Sequence, residues 1–313
     1  MDSLGAGKET RKGKPRDIVI VGGTHGNEKG GVWAVRHLLE KPEDFPAPGL
    51  QVRGILANPE AIERNLRYLD RDLNRCFGPE LAQATADHPQ RERRRARELA
   101  GLIRPEGIAP DLVVDLHNTT ANMGLTCILP SFSPWPLLLA WKASQLDPRV
   151  RILHAQETSQ SNIFLPSLGK DEITLEIGPV AHGTQSHWAW EAADTTVRNL
   201  LATLGSLPDD FDPTAALSEA RFEFFQTVSI ERYPVGKDGR SRCLIHSNVQ
   251  GRDYQPLADG DPLYFDPLEG TTLFHRGATV HPVFLGEAAY VESGISFHAT
   301  RRLRWDGIQG VPC

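Results

Sequence analysis

Residues 17–28 read Asp17-Ile-Val-Ile-Val-Gly-Gly-Thr-His-Gly-Asn-Glu28, and this stretch decides how the rest of the chain is interpreted. The apolar run is typical of a buried strand, and the two glycines that follow it are typical of a turn. The turn sets His25 and Glu28 three residues apart. Catalytic zinc sites commonly use three protein ligands and leave a fourth position for water. The stretch therefore predicts two ligands of a metal site and requires a third from elsewhere.

Strand-like and helix-like segments alternate through the first two-thirds of the chain. Apolar runs such as 50–58, 111–117 and 172–178 are separated by segments with helical periodicity, such as 29–40 and 134–146. This alternation favours an α/β fold with a sheet covered on both faces.

The character of the sequence changes near residues 205–214, where Leu207-Pro-Asp-Asp-Phe-Asp-Pro213 resembles a linker. Beyond it, short apolar runs alternate with turn signals such as Lys237-Asp-Gly-Arg240, a pattern that predicts a smaller β-rich domain. We therefore expect a disordered basic tail in 1–16, an α/β domain in 17–205 and a β-rich domain in 214–313.

Composition excludes several classes of function. The formal net charge is -6, so no overall basic field attracts nucleic acid. No apolar run is long enough to span a bilayer, and the N-terminus lacks the apolar core of a secretory signal. The four cysteines form no CxxC pair, which favours a reduced, cytoplasmic protein.

His117 is the best candidate for the third ligand. It ends the apolar run Asp111-Leu-Val-Val-Asp-Leu-His117 and is followed by polar residues, as His25 is. Ligands of open α/β sheets gather outside the carboxyl ends of the strands, so we expect both histidines at one edge. Each histidine taken alone is better explained as an ordinary hydrogen-bonded residue, but the two strand ends together favour a metal site.

Two further segments carry groups that a hydrolytic metal site needs. Glu176 lies among apolar neighbours near the end of the run 172–178, where an unpaired carboxylate is costly, so it is a candidate general base. The segment Arg67-Tyr-Leu-Asp-Arg-Asp-Leu-Asn-Arg75 is either a solvated loop with internal ion pairs or a clamp for a substrate anion. Residues 91–98 are also rich in charge, but their mixed signs favour a solvated helix face.

Four segments, in order, resemble the aspartoacylase branch of the aspartoacylase and succinylglutamate desuccinylase family. They are Gly22-Gly-Thr-His-Gly-Asn-Glu28, Arg67-Tyr-Leu-Asp-Arg-Asp-Leu-Asn-Arg75, Asp115-Leu-His-Asn-Thr-Thr120 and Glu176-Ile-Gly-Pro179, and Glu287-Ala-Ala-Tyr290 resembles a fifth. The resemblance implies a zinc-carboxypeptidase-like α/β domain with a mixed central sheet flanked by helices. It also implies that the smaller C-terminal β-rich domain narrows the entrance to the active site.

The resemblance also implies a role for each matching residue. One Zn²⁺ per chain is held by His25, Glu28 and His117. Glu176 matches the general base, and Arg67 matches the residue that polarises the scissile carbonyl. The substrate-binding residues that the resemblance implies are Asn74, Arg75, Asn118 and Tyr290. Asp70 and Asp72 match groups that orient the arginines or histidines.

The implied reaction is zinc-dependent removal of the acyl group from a small N-acyl amino acid, with N-acetyl-L-aspartate as the expected substrate. Aspartoacylases carry a further arginine and a tyrosine before the base, whereas residues 162–170 contain neither, and Lys170 is their one cation. An N-acetylated aromatic or thioether amino acid is therefore the alternative substrate. A non-catalytic zinc-binding homologue is the alternative of another class. No nucleic-acid or membrane partner is expected, and relatives of this kind suggest a homo-oligomer.

Overall fold

The computed structural model describes residues 13–79, 81, 89–155, 163–236, 241–307 and 310–312. The α-helices are α1 (Lys29–Glu40), α2 (Pro59–Arg64), α3 (Arg91–Ile103), α4 (Pro134–Leu146), α5 (His187–Ser206) and α6 (Pro213–Glu219). The strands up to residue 178 are β1 (Asp17–Gly22), β2 (Gln51–Leu56), β3 (Leu112–Asn118), β4 (Gly124–Leu129), β5 (Val150–His154) and β6 (Asp171–Gly178). The remaining strands are β7 (Arg221–Arg232), β8 (Leu244–Ile245), β9 (Pro262–Asp266), β10 (Gly270–Leu273), β11 (His281–Val283), β12 (Ile295–Asp306) and β13 (Gly310–Pro312).

Within the described residues, ten strands form one mixed sheet in the order β11-β12-β7-β5-β4-β6-β3-β1-β2, with β13 paired to β12. Strands β2, β1, β3 and β6 run parallel, so their carboxyl ends meet at one edge. Strand β4 then pairs with β6 in the antiparallel sense. A second sheet of three strands, β10-β9-β8, lies in the C-terminal region. The mixed sheet places the ends of β1 and β3 next to each other.

The two faces of the main sheet carry different side chains because successive residues of a strand point to opposite sides. On β3, Leu112, Val114 and Leu116 belong to the large core that also contains residues of helices α1, α4 and α5. Val113 lies on the other face, in a smaller cluster with residues of α3. Asp115 and His117 share the face of Val113, so the polar end of β3 emerges there.

The structure confirms the predicted fold class, an α/β fold with a mixed sheet flanked by helices and a β-rich C-terminal part. Helix α6 follows the predicted linker directly, and the long strands β7 and β12 continue the main sheet. These pairings are long-range, so no local pattern indicates them. Of the predicted tail, residues 1–12 lie outside the described residues, whereas Lys14 is buried and donates a hydrogen bond to the carbonyl of Leu207 at 2.8 Å. No helix in the described part of the chain is long and apolar enough to cross a membrane.

Candidate metal centre and active site

The turn after β1 is shaped by close approach of the backbone. A side chain at Gly22 would collide with the carbonyl of Gly31 in α1, and one at Gly26 would collide with the backbone of Ala61 in α2. The turn therefore packs closely against helices α1 and α2. This packing fixes the backbone of residues 25–28 at the carboxyl end of β1.

The structure brings the three predicted ligands together. The Nδ1 atom of His25 lies 2.8 Å from Oε1 of Glu28, and the Nδ1 atom of His117 lies 2.9 Å from Oε2. The two Nδ1 atoms are 3.2 Å apart, and the three ligand atoms lie within 4.8 Å of one another. All three side chains are buried. Two imidazoles and a carboxylate around one point form a ligand set that suits a catalytic metal ion.

The far nitrogen of each histidine contacts an aspartate. The Nε2 atom of His25 lies 3.0 Å from Oδ1 of Asp72, and that of His117 lies 2.8 Å from Oδ2 of Asp115. The hydroxyl of Thr24 donates to Oδ1 of Asp115 at 2.8 Å. Metal-binding histidines typically donate their other N–H to a carboxylate, which fixes the tautomer and the ring orientation. The aspartates therefore leave both Nδ1 atoms facing the centre, as a metal ion requires.

Glu28 is held as a carboxylate. Arg67 Nη1 donates to its Oε1 at 2.9 Å, and the backbone N–H of Asn118 donates to its Oε2 at 3.0 Å. Burial alone would raise the pKa of Glu28, but His25 and His117 hold that pKa well below its usual range. The group is thus ionised at neutral pH, which is the form that binds a cation.

Glu176 lies beside this centre. It pairs in register with His117 across β3 and β6, so the two side chains share one face of the sheet. Burial raises the pKa of Glu176 to about 8, although the charge of His117 opposes the shift. Among the described residues its buried Oε2 atom has no hydrogen-bond partner. A carboxyl group whose pKa lies near the working pH is suited to exchanging a proton with water and with a leaving group.

The arginine-rich segment lies against the same centre. Arg67 bridges Glu28 and Asp72, with Nη2 at 3.3 Å from Oδ2 of Asp72. Arg75 lies with its guanidinium 4.6 Å from the ring centre of Phe164, a residue of the stretch before the base. Of the predicted orienting acids, Asp72 contacts His25 and Arg67, whereas Asp70 accepts the backbone N–H of Arg91 at 2.8 Å, where helix α3 begins.

Two predicted substrate ligands have contacts within the protein. The Oδ1 atom of Asn118 accepts the backbone N–H of Gly30 at 2.8 Å, which ties the start of α1 to the end of β3. The Oδ1 atom of Asn74 accepts the backbone N–H of Leu165 at 2.8 Å. Both side chains are buried. Their substrate-binding roles stay predictions, and their observed contacts hold the walls of the site.

Two residues of the C-terminal region, Tyr290 and Glu287, lie near the candidate site. Tyr290 stacks on His298 with ring centres 5.4 Å apart, and burial raises the pKa of its phenol. Sequence reasoning gave Glu287 no role. Its buried carboxylate accepts the backbone N–H groups of Thr120 and Ala121 at 2.8 and 3.0 Å. Glu287 thus fastens the loop after His117 to the C-terminal region.

Helix α3 differs from the predicted solvated face. Glu92 is buried and accepts the backbone N–H groups of Leu69, Asp70 and Arg71 at 2.7, 3.0 and 3.2 Å. One carboxylate therefore replaces water for three consecutive donors of the arginine-rich segment. The sequence of residues 91–98 does not predict this contact, because nothing distinguishes the one buried acid from the exposed charged residues around it.

Comparison with known proteins agrees with the geometry. Residues 14–204 match the family model of the succinylglutamate desuccinylase/aspartoacylase catalytic domain, and residues 220–302 match the AstE/AspA barrel-sandwich hybrid domain. A probable aspartoacylase of Acaryochloris marina is 35% identical over 291 residues, which cover 92% of this chain and 96% of that protein. The N-acyl-aromatic-L-amino acid amidohydrolase (carboxylate-forming) of Xenopus laevis is 37% identical over 293 residues, covering 91% and 94%.

The crystal structure of murine aminoacylase 3 is similar to the whole fold, with a TM-score of 0.85 and 29% identity over 96% of this chain and 99% of that chain. The fold and the clustered side chains define the chain as an α/β protein with a buried His-Glu-His group that could hold a metal ion. More narrowly, the chain belongs to the succinylglutamate desuccinylase/aspartoacylase family. The resemblance inferred from the motifs is confirmed.

Proposed function

We propose that this protein is a zinc-dependent amidohydrolase that removes the acyl group from an N-acyl amino acid. The observation that carries the proposal is the convergence of His25, Glu28 and His117 with Glu176 on the same face of the sheet. The names of relatives that align over nearly the whole chain support the same reaction class.

Zn²⁺ fits this centre because the ligand set is two imidazoles and one carboxylate, and because each imidazole is oriented by an aspartate. When bound, zinc supplies a Lewis acid that polarises the substrate carbonyl and lowers the pKa of water. His25, Glu28 and His117 would hold the ion, one per chain.

The side chains around the centre suit the remaining parts of the reaction. Glu176 takes a proton from the attacking water and returns it to the departing amine. Arg67, with N–H groups beyond those bonded to Glu28 and Asp72, stabilises the negative charge that develops on the carbonyl oxygen. Arg75 binds the carboxylate of the amino acid, and Tyr290 lines the entrance from the C-terminal region.

The amino acid that the substrate carries depends on which charged groups of the protein lie close to its side chain. N-acetyl-L-aspartate requires a second cation near the base, and Lys170 is the one candidate in residues 163–170. Lys170 is bonded to Asp111 at 2.9 Å, at the amino end of the strands. Glu176 lies five steps along β6 from Asp171, a distance of roughly 17 Å. Lys170 therefore lies far from the candidate base, whereas Phe164 lies beside Arg75. This favours an N-acyl aromatic amino acid over N-acetylaspartate.

A substrate panel with the wild-type protein and Glu176→Gln tests the proposal. We expect one zinc per chain, activity that a chelator abolishes and zinc restores, and a higher kcat/KM for N-acetyl aromatic amino acids than for N-acetylaspartate. Glu176→Gln should bind zinc normally and lose at least about a hundredfold in kcat. A variant as active as wild type would refute the assignment of the base, and an inactive wild-type protein with bound zinc would favour the non-catalytic alternative.

We also propose the domain limits 17–205 and 214–313, and this division is supported by the two family models, which match residues 14–204 and 220–302. A cytoplasmic location is supported by Cys76 and Cys127, which are buried and unpaired. Burial raises the pKa of the Cys127 thiol to about 12, so this residue is a packing group without thiolate chemistry.

A further inference from the structure

Tyr254 lies in the C-terminal region but reaches the sheet next to the base. Its phenol is buried, and its hydroxyl is 2.9 Å from Oγ1 of Thr126 on β4. The Thr126 hydroxyl donates to the carbonyl of Met123 at 2.8 Å. Since the single Thr126 hydrogen is used there, the Tyr254 hydroxyl is the donor to Thr126. The result is a directed chain of two hydrogen bonds from Tyr254 through Thr126 to the carbonyl of Met123.

Thr126 is the direct neighbour of the base. It pairs with Glu176 across the antiparallel strands β4 and β6, so both side chains lie on the same face. The Cβ atoms of such cross-strand pairs are about 4.5–5.5 Å apart. The buried Oε2 atom of Glu176 has no hydrogen-bond partner among the described residues, so the position of this oxygen depends on the side chains packed around it. Thr126 forms that support on the side away from His117.

The backbone at Tyr254 is held in a conformation that a bulky residue rarely adopts. Its φ angle is +64°, in the left-handed region. Its N–H donates to the carbonyl of Pro282 at 2.8 Å. The preceding carboxylate, Asp253, accepts the N–H groups of Asn122 and Leu285 at 3.1 and 2.9 Å. Such strain persists only where surrounding contacts outweigh it, and it concentrates at functional sites.

The Tyr254 ring is also enclosed on its faces. The Arg151 guanidinium lies 4.8 Å from the ring centre, and the Phe225 ring centre lies 4.6 Å away. These contacts restrict the ring while its hydroxyl bonds to Thr126. Backbone conformation, ring packing and hydrogen bonding all direct the same atom to the flank of the base.

We propose that Tyr254 is a positioning residue for the reaction, which acts through Thr126 to hold the carboxylate of Glu176 in line with the metal centre. This inference rests on the proposed function of Glu176 as the base. Tyr254 itself does not touch the reacting atoms. Its contribution is to keep the base in one orientation, since small displacements of a catalytic group are costly to the rate.

The test is Tyr254→Phe, which removes the hydroxyl and keeps the ring. We expect kcat to fall roughly tenfold while KM and zinc content change less than twofold. The matched control is Tyr264→Phe in the same region, because the buried Tyr264 hydroxyl makes a 2.7 Å hydrogen bond to Ser296 away from the base. The control should lose similar thermal stability and keep its kcat. Equal loss of kcat in both variants would overturn the proposal.

Two further variants identify the route. Thr126→Ser keeps the hydroxyl and should stay close to wild-type kcat, whereas Thr126→Val should lose as much as Tyr254→Phe. In the Glu176→Gln background, Tyr254→Phe should cause no further loss of residual activity, because its target is already gone. A multiplicative loss there would overturn the positioning role while leaving the base assignment intact. A fully active Glu176→Gln variant would instead overturn the base assignment and the positioning role with it.

Discussion

Asp115→Asn tests the candidate metal centre without replacing any of its three proposed ligands. The Oδ2 atom of Asp115 is 2.8 Å from Nε2 of His117, and its Oδ1 atom accepts the hydroxyl of Thr24 at 2.8 Å. Asparagine keeps the shape but has one carbonyl oxygen and no charge. If that oxygen stays on His117, the geometry survives and the basicity of the imidazole falls. Loss of such a partner typically lowers metal affinity by about 10–100-fold, which equals about 1.4–2.7 kcal/mol.

The assay is competition between the metal-free protein and a chromophoric zinc chelator at fixed pH. Asp111→Asn is the matched control, because Asp111 lies just before the same strand and accepts the backbone N–H groups of Arg16 and Asp17 at 2.8 and 3.0 Å. The control should lose stability but keep the zinc Kd. A zinc Kd for Asp115→Asn within twofold of wild type would refute the argument that Asp115 orients a metal-binding His117.

Three other changes have defined outcomes. Gly26→Ala would drive a methyl group into the backbone of Ala61 and should lower the free energy of unfolding by about 1–3 kcal/mol. In the control Gly101→Ala the methyl group meets no atom within 4 Å, so the free energy of unfolding should stay unchanged or rise by up to about 1 kcal/mol. Chemical denaturation of both variants measures the difference. Glu287→Gln should lower the midpoint of thermal unfolding, since hydrogen bonds to a charged group are worth about 1.5–3 kcal/mol each, and no change in the melting temperature would contradict its fastening role. Burial lowers the pKa of His154 to about 4, so between about pH 6.5 and pH 4 the unfolded chain binds a proton that the folded chain does not. The free energy of unfolding should therefore fall as the pH drops through this range, by at most about 1.4 kcal/mol per pH unit from this residue. Urea titrations should show that the free energy of unfolding of His154→Phe depends less steeply on pH.

The part of the site that follows from strand order was predictable. His25 and His117 each end an apolar run, and the carboxyl ends of neighbouring parallel strands meet at one edge of a sheet. The position of Asp115 beside His117 was predictable in the same way. It lies two residues before His117, and residues two apart on a strand share a face. The two-residue alternation of a strand therefore predicts that this acid lies beside the metal-binding histidine.

The part that depends on contacts between distant segments was not predictable from local patterns. Glu92 faces inward among outward charges because the loop at residues 69–71 presents three N–H groups to it. Strand β7 joins β5, although about 65 residues and two helices separate them in the chain. The periodicity of apolar residues indicates which face of a helix or strand is buried, but it does not indicate which other element packs against that face.

The loop after His117 shows why the C-terminal region is more than a cover for the entrance. Its consecutive N–H groups at Thr120, Ala121 and Asn122 are all accepted by carboxylates from that region, the first two by Glu287 and the third by Asp253. A loop with three such bonds cannot shift without breaking buried charge-assisted contacts, which are costly to leave unmade. The same loop begins one residue after Asn118, whose N–H bonds to Glu28. The geometry of the candidate metal centre is therefore set jointly by the end of β3 and by the C-terminal region.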